Sequence, residues 1–297
     1  MPSPRRGTFA FRLDVDSVVC LEKGVPNLLR LGERHGVRFT FFVNMGYSFS
    51  WRHTIAQVLR KRRASAQGPG EGEPDEPYKL PAARKLGRSG TLRTVLFNPR
   101  LGRRYRAALD RLHREGHELG LHGGSDHAAW QYSLDELGND GLERLFQGAF
   151  EEFRDRYGHP RGFASPGFRY NEAVLDLLDR KGFEYASDMS GEHPFRPDRG
   201  SGDGAARHSH FQVPVNVIGE RRVPLIEQGL ARGHSNERIV RDAVGRIRAR
   251  RFALMYGHPY VEGVHTRPLA AILSELADDY DVVTVAEYLR RWRATMS

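Results

Sequence analysis

The sequence predicts an α/β protein whose parallel strands close into a barrel of about seven strands. Along most of the 297 residues, short apolar segments of strand character alternate with longer segments of helical spacing. Several apolar segments run directly into polar residues, as strands do at the rim where barrel enzymes place their catalytic groups. The same alternation also fits an open, doubly wound sheet, which stays the alternative architecture.

The chain opens with a strand, a helix and a second strand. Residues 8–16 alternate apolar and polar side chains and end in acid. A helix is predicted from Gly24, with Pro26 in its first turn and Gly36 at its end. The β-branched and aromatic residues of 37–44 predict the next buried strand.

Strand and helix patterns continue to alternate in the rest of the chain. Further strands are predicted at 117–122, 162–165, 184–188, 211–216 and 252–256. Helices are predicted near 103–115 and 134–157, and after Asn171, Ser235 and Arg267. We expect one domain over residues 1–297, with a basic insertion at about 51–106.

The net charge of +9 comes from this insertion. Residues 60–106 contain 13 Lys or Arg and 4 Asp or Glu, which leaves 33 basic and 33 acidic residues elsewhere. Residues 51–63 mix aromatic, aliphatic and basic side chains, a pattern that fits a helix resting on an anionic membrane or a solvated charged helix. Residues 64–77 have the composition of a mobile loop. Nucleic-acid binding is not expected, because no recognised binding motif accompanies the basic residues.

The single cysteine, Cys20, excludes an internal disulfide and a zinc site built from several thiolates. No apolar run approaches the length of about 18 residues that a membrane span needs, and residues 1–7 lack the apolar stretch of a secretion signal. We therefore expect a cytoplasmic protein in which any metal is held by histidine and carboxylate.

Asp14 and Asp16 stand two residues apart at the end of the first strand, so both carboxylates project from the same face. A metal bound by one carboxylate relieves their repulsion and leaves the other able to accept a proton. Taken alone, the pair is more typical of a strand end that faces solvent.

Candidate metal ligands follow the strand at 117–122. His122 ends this strand, and Asp126 and His127 come soon after it. Imidazole and carboxylate together suit zinc and similar divalent ions, and three protein ligands leave one position open. Two alternatives remain: histidines placed by chance in a polar loop, and Ser125 or Asp126 as the cap of the helix that follows.

Two later strand ends carry further candidates. The strand at 252–256 runs into His258, and a histidine at such a place can protonate a leaving amine or simply bond to the backbone. Arg169 follows the strand at 162–165, where it can orient a carboxylate or form a surface ion pair.

In this order the motifs resemble the polysaccharide deacetylase (NodB-homology) family over nearly the whole chain. Leu13-Asp-Val-Asp16 is similar to the family's first motif, Gly120-Leu-His-Gly-Gly-Ser-Asp-His127 to its metal-binding loop, and residues 254–259 to its final motif. The resemblance implies a distorted (β/α) barrel. It also implies a divalent metal cofactor, with zinc favoured and cobalt, manganese or nickel as alternatives.

The resemblance also assigns roles. Asp14 corresponds to the catalytic base, Asp16 and His122 to metal ligands, and His258 to the general acid. In such a reaction the metal polarises the acyl carbonyl, Asp14 takes a proton from water and His258 protonates the departing nitrogen.

The chain departs from the family pattern in two places. The family spaces its two metal histidines four residues apart, whereas His122 and His127 are five apart and Asp126 occupies the expected position. His127 is favoured as the third ligand, with Asp126 as the alternative. The arginine that opens the family's third motif is matched by Ala164, and Arg169 is expected to orient the catalytic base instead.

Within the family, residues 167–169, 194–197 and 213–216 are most similar to the branch that contains 4-deoxy-4-formamido-L-arabinose-phosphoundecaprenol deformylase. This implies removal of a formyl or acetyl group from an amino sugar linked to a polyprenyl phosphate, with the insertion resting on the anionic inner face of the cell membrane. Two alternatives stay open: a glycolipid-binding protein without catalytic activity, and a deacetylase of peptidoglycan or chitin-like glycans.

Overall fold

The structure of this chain is a computed structural model. It describes residues 7–50, 79–81, 84, 87, 97–199 and 207–296. The helix predicted at 51–63 and the loop predicted at 64–77 lie outside the described residues. Within these ranges, no helix combines the length and the apolar character that crossing a membrane requires.

Eight parallel strands form one sheet in the described part of the chain. The order is β6-β5-β4-β3-β2-β1-β7, and β8 also pairs with β1. The strands are β1 (Gly7–Val15), β2 (Thr40–Val43), β3 (Glu118–His122), β4 (Gly162–Ala164), β5 (Tyr185–Ala186), β6 (Phe211–Gln212), β7 (Phe252–Gly257) and β8 (Tyr280–Val283).

The sheet curls into a barrel around β1. Strand β7 pairs with one edge of β1, while β8 pairs with the first residues of the other edge and β2 with its last residues. The segment that follows β6 contacts β7. The N–H groups of Asn216 and Val217 donate to the carbonyl of Leu254 at 3.1 and 3.0 Å. This contact brings the two ends of the sheet together. The predicted distorted (β/α) barrel is confirmed.

Helices surround the sheet. They are α1 (Val25–His35), α2 (Leu101–Arg104), α3 (Arg106–Arg114), α4 (His127–Ser133), α5 (Asn139–Tyr157), α6 (Glu172–Arg180), α7 (Leu225–Ala231), α8 (Asn236–Arg248), α9 (Pro259–Glu262), α10 (Thr266–Leu276) and α11 (Val285–Arg293). A 3-10 turn lies at Leu134–Glu136 and a π-helical turn at Cys20–Gly24. Pro166–Phe168 and Glu220–Arg222 form short turns that contain left-handed residues.

The structure differs from the predicted elements in a few places. The helix predicted at 103–115 is divided into α2 and α3 at Tyr105, whose backbone leaves the helical region (φ −110°, ψ 27°). The helix predicted at 134–157 begins only at Asn139, because Gly138 is extended. The sequence patterns do not predict β8, α4, α7, α9 or α11. Each has at most nine residues, too few for a periodic pattern to stand out.

Strand β1 carries the polar groups of the barrel interior. One set of its side chains packs against the helices in the larger apolar cluster, namely Phe9, Phe11, Leu13 and Val15. Ala10 lies on the opposite side, in the cluster that includes Tyr185 and Leu254. Because side chains alternate along a strand, Arg12 and Asp14 share the inner side with Ala10. The barrel interior is therefore charged near the carboxyl end of β1.

Candidate metal centre and active site

The carboxyl ends of β1, β3 and β7 bring several predicted site residues together. Asp14 is buried near the end of β1, and Asp16 follows that strand. His122 ends β3, and His127 begins α4. His258 follows β7. All five side chains line one cavity of about 360 Å³.

Asp16, His122 and His127 form a compact group, called here the rim cluster. Oδ1 of Asp16 lies 3.0 Å from Nε2 of His122 and 3.4 Å from Nε2 of His127. One ligand atom from each residue lies within 4.8 Å of the others. His258 is adjacent, with its Nε2 3.5 Å from Oδ2 of Asp16.

A hydrogen bond on the far side of His122 determines what its Nε2 can do. Nδ1 lies 2.8 Å from the carbonyl oxygen of Ala164, which can only accept, so Nδ1 carries the proton. In the neutral ring, Nε2 then directs a lone pair at the Asp16 carboxylate. Two acceptors facing each other at 3.0 Å repel unless a cation or a proton lies between them. The rim cluster therefore fits a divalent metal ion.

The charges of the rim cluster shift the pKa values of Asp16 and His122. Burial raises the pKa of Asp16, but His127, His122 and His258 together lower it well below its usual range. Burial lowers the pKa of His122, but Asp16 and Asp14 together outweigh this effect, and the pKa is raised above its ordinary value. Asp16 is therefore ionised at physiological pH.

The start of α4 separates the roles of Asp126 and His127. Asp126 is the N-cap of this helix, and its side chain accepts a hydrogen bond from the N–H of Ala129 at 2.9 Å. The N–H of His127 donates to the carbonyl of Tyr47 at 3.0 Å, and its ring reaches Asp16. His127 thus lies in the rim cluster, while the Asp126 carboxylate is used by the helix.

A buried arginine holds the Asp14 carboxylate. Arg12 donates from Nη2 to Oδ2 of Asp14 at 2.8 Å, and its Nη1 donates to the carbonyl of Ser187. The side chain of Arg12 is 0% exposed and that of Asp14 is 5% exposed. The Cζ atom of Arg12 lies 5.0 to 5.3 Å from the centroids of three aromatic rings, those of Phe42, Phe168 and Tyr256. Arg12 fixes the orientation of Asp14 and balances its charge.

Arg169 does not have the position that the sequence predicts. Its guanidinium pairs with Asp135, and both side chains are largely exposed. The ring of Phe168 lies against Arg12. Because the backbone is extended at Arg169, the Arg169 side chain points to the opposite side, away from the cavity. The contact with Asp14 that was expected of Arg169 is made by Arg12.

His258 is surrounded by two buried glutamates and a tyrosine. Its ring stacks on Tyr260, with centroids 4.8 Å apart and planes at 8°. Nδ1 lies 3.9 Å from Oε2 of Glu227, and the backbone N–H donates to Oε2 of Glu262 at 2.6 Å. Glu227 and Glu262 are 1% and 0% exposed. These contacts turn Nε2 toward Asp16 and the cavity.

Comparisons with known proteins point to one fold family. No family model matches the chain. A protein of Shewanella sediminis (strain HAW-EB3), named as a probable 4-deoxy-4-formamido-L-arabinose-phosphoundecaprenol deformylase, is 29% identical over 208 residues. The alignment covers 69% of this chain and 62% of the relative, so the chain spans less than two thirds of the relative's length.

A solved structure from Mycobacterium smegmatis, described as a polysaccharide deacetylase, superposes with a TM-score of 0.63 at 18% identity. The match covers 100% of this chain and 93% of the other. The predicted resemblance to the polysaccharide deacetylases, and to their deformylase branch, is confirmed.

The polysaccharide deacetylase fold also occurs without activity. A CE4 family pseudoenzyme from Bacillus anthracis matches with a TM-score of 0.53 at 13% identity, over 96% of this chain and 66% of its own. Activity therefore has to be argued from the site residues of this chain.

Three residues of this candidate site are not found by sequence reasoning. Arg12 has a recognisable signal, since it is a lone base in an apolar strand and shares a face with Asp14 two positions later. Glu227 and Glu262 carry no such signal, because they lie on the short helices α7 and α9, whose positions depend on the folded chain.

Proposed function

We propose that this protein is a metal-dependent hydrolase that removes an N-acyl group, formyl or acetyl, from an amino sugar. The observation that carries the proposal is the position of Asp14 and His258 beside the rim cluster in one cavity. Amide hydrolysis needs a base, an acid and a stabiliser of negative charge at one place. The similarity to a protein named as a deformylase supports the same class of reaction.

Asp16, His122 and His127 would hold the metal. Their donor set, two imidazoles and one carboxylate, suits zinc, and cobalt, manganese and nickel accept the same atoms. A bound ion supplies polarisation of the acyl carbonyl and activation of water. The bond between His122 and the Ala164 carbonyl keeps the ring in the tautomer that ligation requires.

Asp14 is suited to act as the base. Oδ2 is held by Arg12, while the buried Oδ1 has no hydrogen-bond partner among the residues that the structure describes. Asp14 also shares the inner side of the barrel with Asp16, two residues later. Asp14 therefore accepts the proton of the attacking water on Oδ1.

His258 is suited to act as the acid. Its Nε2 faces the cavity next to Asp16, and Glu227 lies on the Nδ1 side of the ring. Stacking on Tyr260 limits rotation of the ring. His258 donates a proton from Nε2 to the sugar nitrogen as the carbon–nitrogen bond breaks, so that the amine leaves in neutral form.

The substrate proposed is an amino sugar linked to a polyprenyl phosphate. The name of the Shewanella relative specifies a sugar on phosphoundecaprenol, which supports this substrate class. The basic segment at 60–106 supports binding to the anionic inner face of the cell membrane. Flotation with vesicles tests the membrane contact: we expect binding to vesicles that contain phosphatidylglycerol, and none to pure phosphatidylcholine.

A glycolipid-binding protein without activity is the second candidate, because a pseudoenzyme shares the fold. The presence of both Asp14 and His258 beside the rim cluster favours hydrolysis. Purified protein that takes up no zinc, cobalt or manganese would favour the binding protein.

The base assignment is tested by the substitution Asp14→Asn. The assay follows release of free amine from 4-formamido-4-deoxy-L-arabinose 1-phosphate and from N-acetylglucosamine 1-phosphate, with chitin oligosaccharides for comparison. We expect turnover to fall by at least about a thousandfold while the metal is retained. Asp135→Asn, at an exposed aspartate, is the matched control and should keep full turnover. Turnover that survives in the Asp14 variant would contradict the role of Asp14.

A further inference from the structure

We propose that Arg221 and Lys79 form an anion subsite at the mouth of the cavity, which binds a phosphate group carried by the amino-sugar substrate. The inference rests on the proposed function, because it assigns part of the same substrate. Both side chains are exposed and line the cavity that holds the rim cluster. They come from chain segments far apart in sequence, so the fold brings them to one place.

The backbone that carries Arg221 is strained. Arg221 (φ 51°, ψ 29°) and Arg222 (φ 59°) are consecutive residues in the left-handed region. A residue other than glycine adopts this backbone conformation only when its surroundings hold it there. The turn is closed by Gly219 donating to the carbonyl of Val223 at 2.9 Å, and by Val223 donating to that of Glu220 at 3.0 Å. Strain kept by such contacts at the edge of a site points to a functional placement.

Arg222 anchors this turn. Its guanidinium lies 3.9 Å from the centroid of the Phe168 ring and donates to the carbonyl of Asp188. The hydroxyl of Tyr256 donates to the carbonyl of Arg222. Arg222 is thus half-buried, with contacts at both its guanidinium and its backbone carbonyl. Its neighbour Arg221 is exposed and lines the cavity.

Lys79 is positioned by the residue that follows it. Leu80 is buried, and its N–H donates to Oε1 of Glu227 at 3.2 Å. Glu227 is the same carboxylate that lies beside His258. Lys79 is therefore placed by a backbone contact with the active site and projects its ammonium group at the mouth.

Negative and positive groups lie at different depths of the cavity, with the carboxylates inside and Arg221 and Lys79 at the mouth. Its carboxylates lie deep and have cationic or imidazole neighbours: Asp14 has Arg12, Asp16 has the two histidines and Glu227 has His258. A substrate with its amide near the rim cluster and a phosphate directed outward matches this order, since guanidinium and ammonium groups bind phosphate strongly.

The test compares three forms of 4-formamido-4-deoxy-L-arabinose: the neutral methyl glycoside, the 1-phosphate and the dodecyl phosphodiester. We expect the unaltered protein to hydrolyse both phosphorylated forms with kcat/KM at least about tenfold above that of the glycoside. Arg221→Gly suits the left-handed backbone, so it removes the cation without disturbing the turn. This substitution should raise KM for both phosphorylated forms about tenfold and leave their kcat unchanged. The kcat and KM for the methyl glycoside should also stay the same.

Two further variants make the result specific to charge. Arg221→Lys should restore most of the affinity for the phosphorylated forms, and Lys79→Ala should weaken it as Arg221→Gly does. Arg267→Ala, at an exposed position on α10 outside the cavity, is the matched control and should change nothing. A preference for the dodecyl diester alone that is lost in Arg221→Gly would support a lipid-linked phosphate. A preference that persists in Arg221→Gly would overturn the subsite.

Failure of the proposed function gives a different result. If the unaltered protein hydrolyses none of the three forms, calorimetric titration with glucose 1-phosphate and with dodecyl phosphate still decides the subsite. Binding that is weakened about tenfold in Arg221→Gly would support it. Binding that is equal in the two proteins, or absent from both, would overturn it.

Discussion

The same three residue types, one aspartate and two histidines, come together at two places in this molecule. The rim cluster contains Asp16 with two histidines, and a second group, called here the helix-end cluster, contains Asp179 with His208 and His210. In each group, one ligand atom per residue lies within 4.8 Å of the others. Composition and spacing alone would assign a metal to both.

The helix-end cluster differs in its hydrogen bonds. Oδ1 of Asp179 accepts from Ser209 N at 3.0 Å, Ser209 Oγ at 2.8 Å, His210 N at 3.2 Å and His210 Nδ1 at 2.6 Å. Oδ2 lies 2.8 Å from His208 Nδ1 and 3.0 Å from Arg199. The carboxylate is saturated with donors. It ties the end of α6 to the segment that enters β6.

The rim cluster has the opposite arrangement. Oδ1 of Asp16 is buried, and the neutral ring of His122 directs an acceptor at it, so this contact lacks a proton unless the ring is charged or a cation is bound. The supply of hydrogen-bond donors, rather than the residue types, therefore distinguishes the two clusters. A carboxylate that already has its donors does not need a cation.

The largest effect is expected from Arg12, which supports the carboxylate of Asp14, the proposed base. Replacing Arg12 by methionine leaves Asp14 buried without its cation, so the free energy of unfolding should fall by about 3–5 kcal/mol. In the protein that remains folded, kcat should fall about a hundredfold, because the base is no longer oriented. Urea unfolding and turnover measure the two effects. Arg169→Ala is the control, and a comparable loss of turnover there would restore Arg169 to the site.

Removal of the Asp179 carboxylate tests the structural role of the helix-end cluster. Asp179→Ala leaves several donors of the helix-end cluster without an acceptor, and we expect the free energy of unfolding to fall by about 3 kcal/mol. The metal content of the folded protein should be unchanged. A loss of metal with this substitution would show that the helix-end cluster binds an ion.

A smaller effect is expected at the cap of α4. Asp126→Ala removes the side-chain acceptor of Ala129 and should lower the free energy of unfolding by about 1 kcal/mol. Metal content and turnover should stay the same, whereas His127→Ala should lose metal. Retention of metal in His127→Ala together with its loss in Asp126→Ala would reverse the assignment of the third ligand.

The smallest effect is a pH dependence in the helix-end cluster. Burial lowers the pKa of His210, although Asp179 opposes the shift. The unfolded chain therefore takes up a proton first as pH falls below about 6.5. The stability contributed by neutral His210 is present above that pH and is lost as pH falls through the lower pKa of the folded state. His210→Asn keeps a donor but does not titrate, so its stability should fall less steeply between pH 7 and 5. Equal slopes would contradict this account.

Much of the fold could be predicted from the sequence, because β1 and β7 combine long apolar runs with polar ends. The shortest strands could not be delimited. The strand predicted at 211–216 ends at Gln212, since Asn216 and Val217 bond to β7 instead. Strand β8 pairs only with the first residues of β1, and two of its four residues are half-buried, so its apolar signal is weak.

The site was predictable where adjacent residues share a strand end. Asp14 and Asp16 have an alternation that fixes their common side. Glu227 and Glu262 were not predictable, because their carboxylates reach His258 only through the folded positions of α7 and α9. For Asp126, the sequence allowed both a helix cap and a metal ligand, with His127 favoured as the ligand, and the hydrogen bond from Ala129 shows that Asp126 caps α4.

We propose that the rim cluster holds the metal and that the helix-end cluster does not. The most direct test is the metal content of the purified protein, measured by mass spectrometry for the unaltered chain and for His122→Ala and His210→Ala. We expect roughly one divalent ion per chain, lost in His122→Ala and retained in His210→Ala. Metal that persists in His122→Ala and disappears in His210→Ala would contradict the account, and with it the proposed hydrolase.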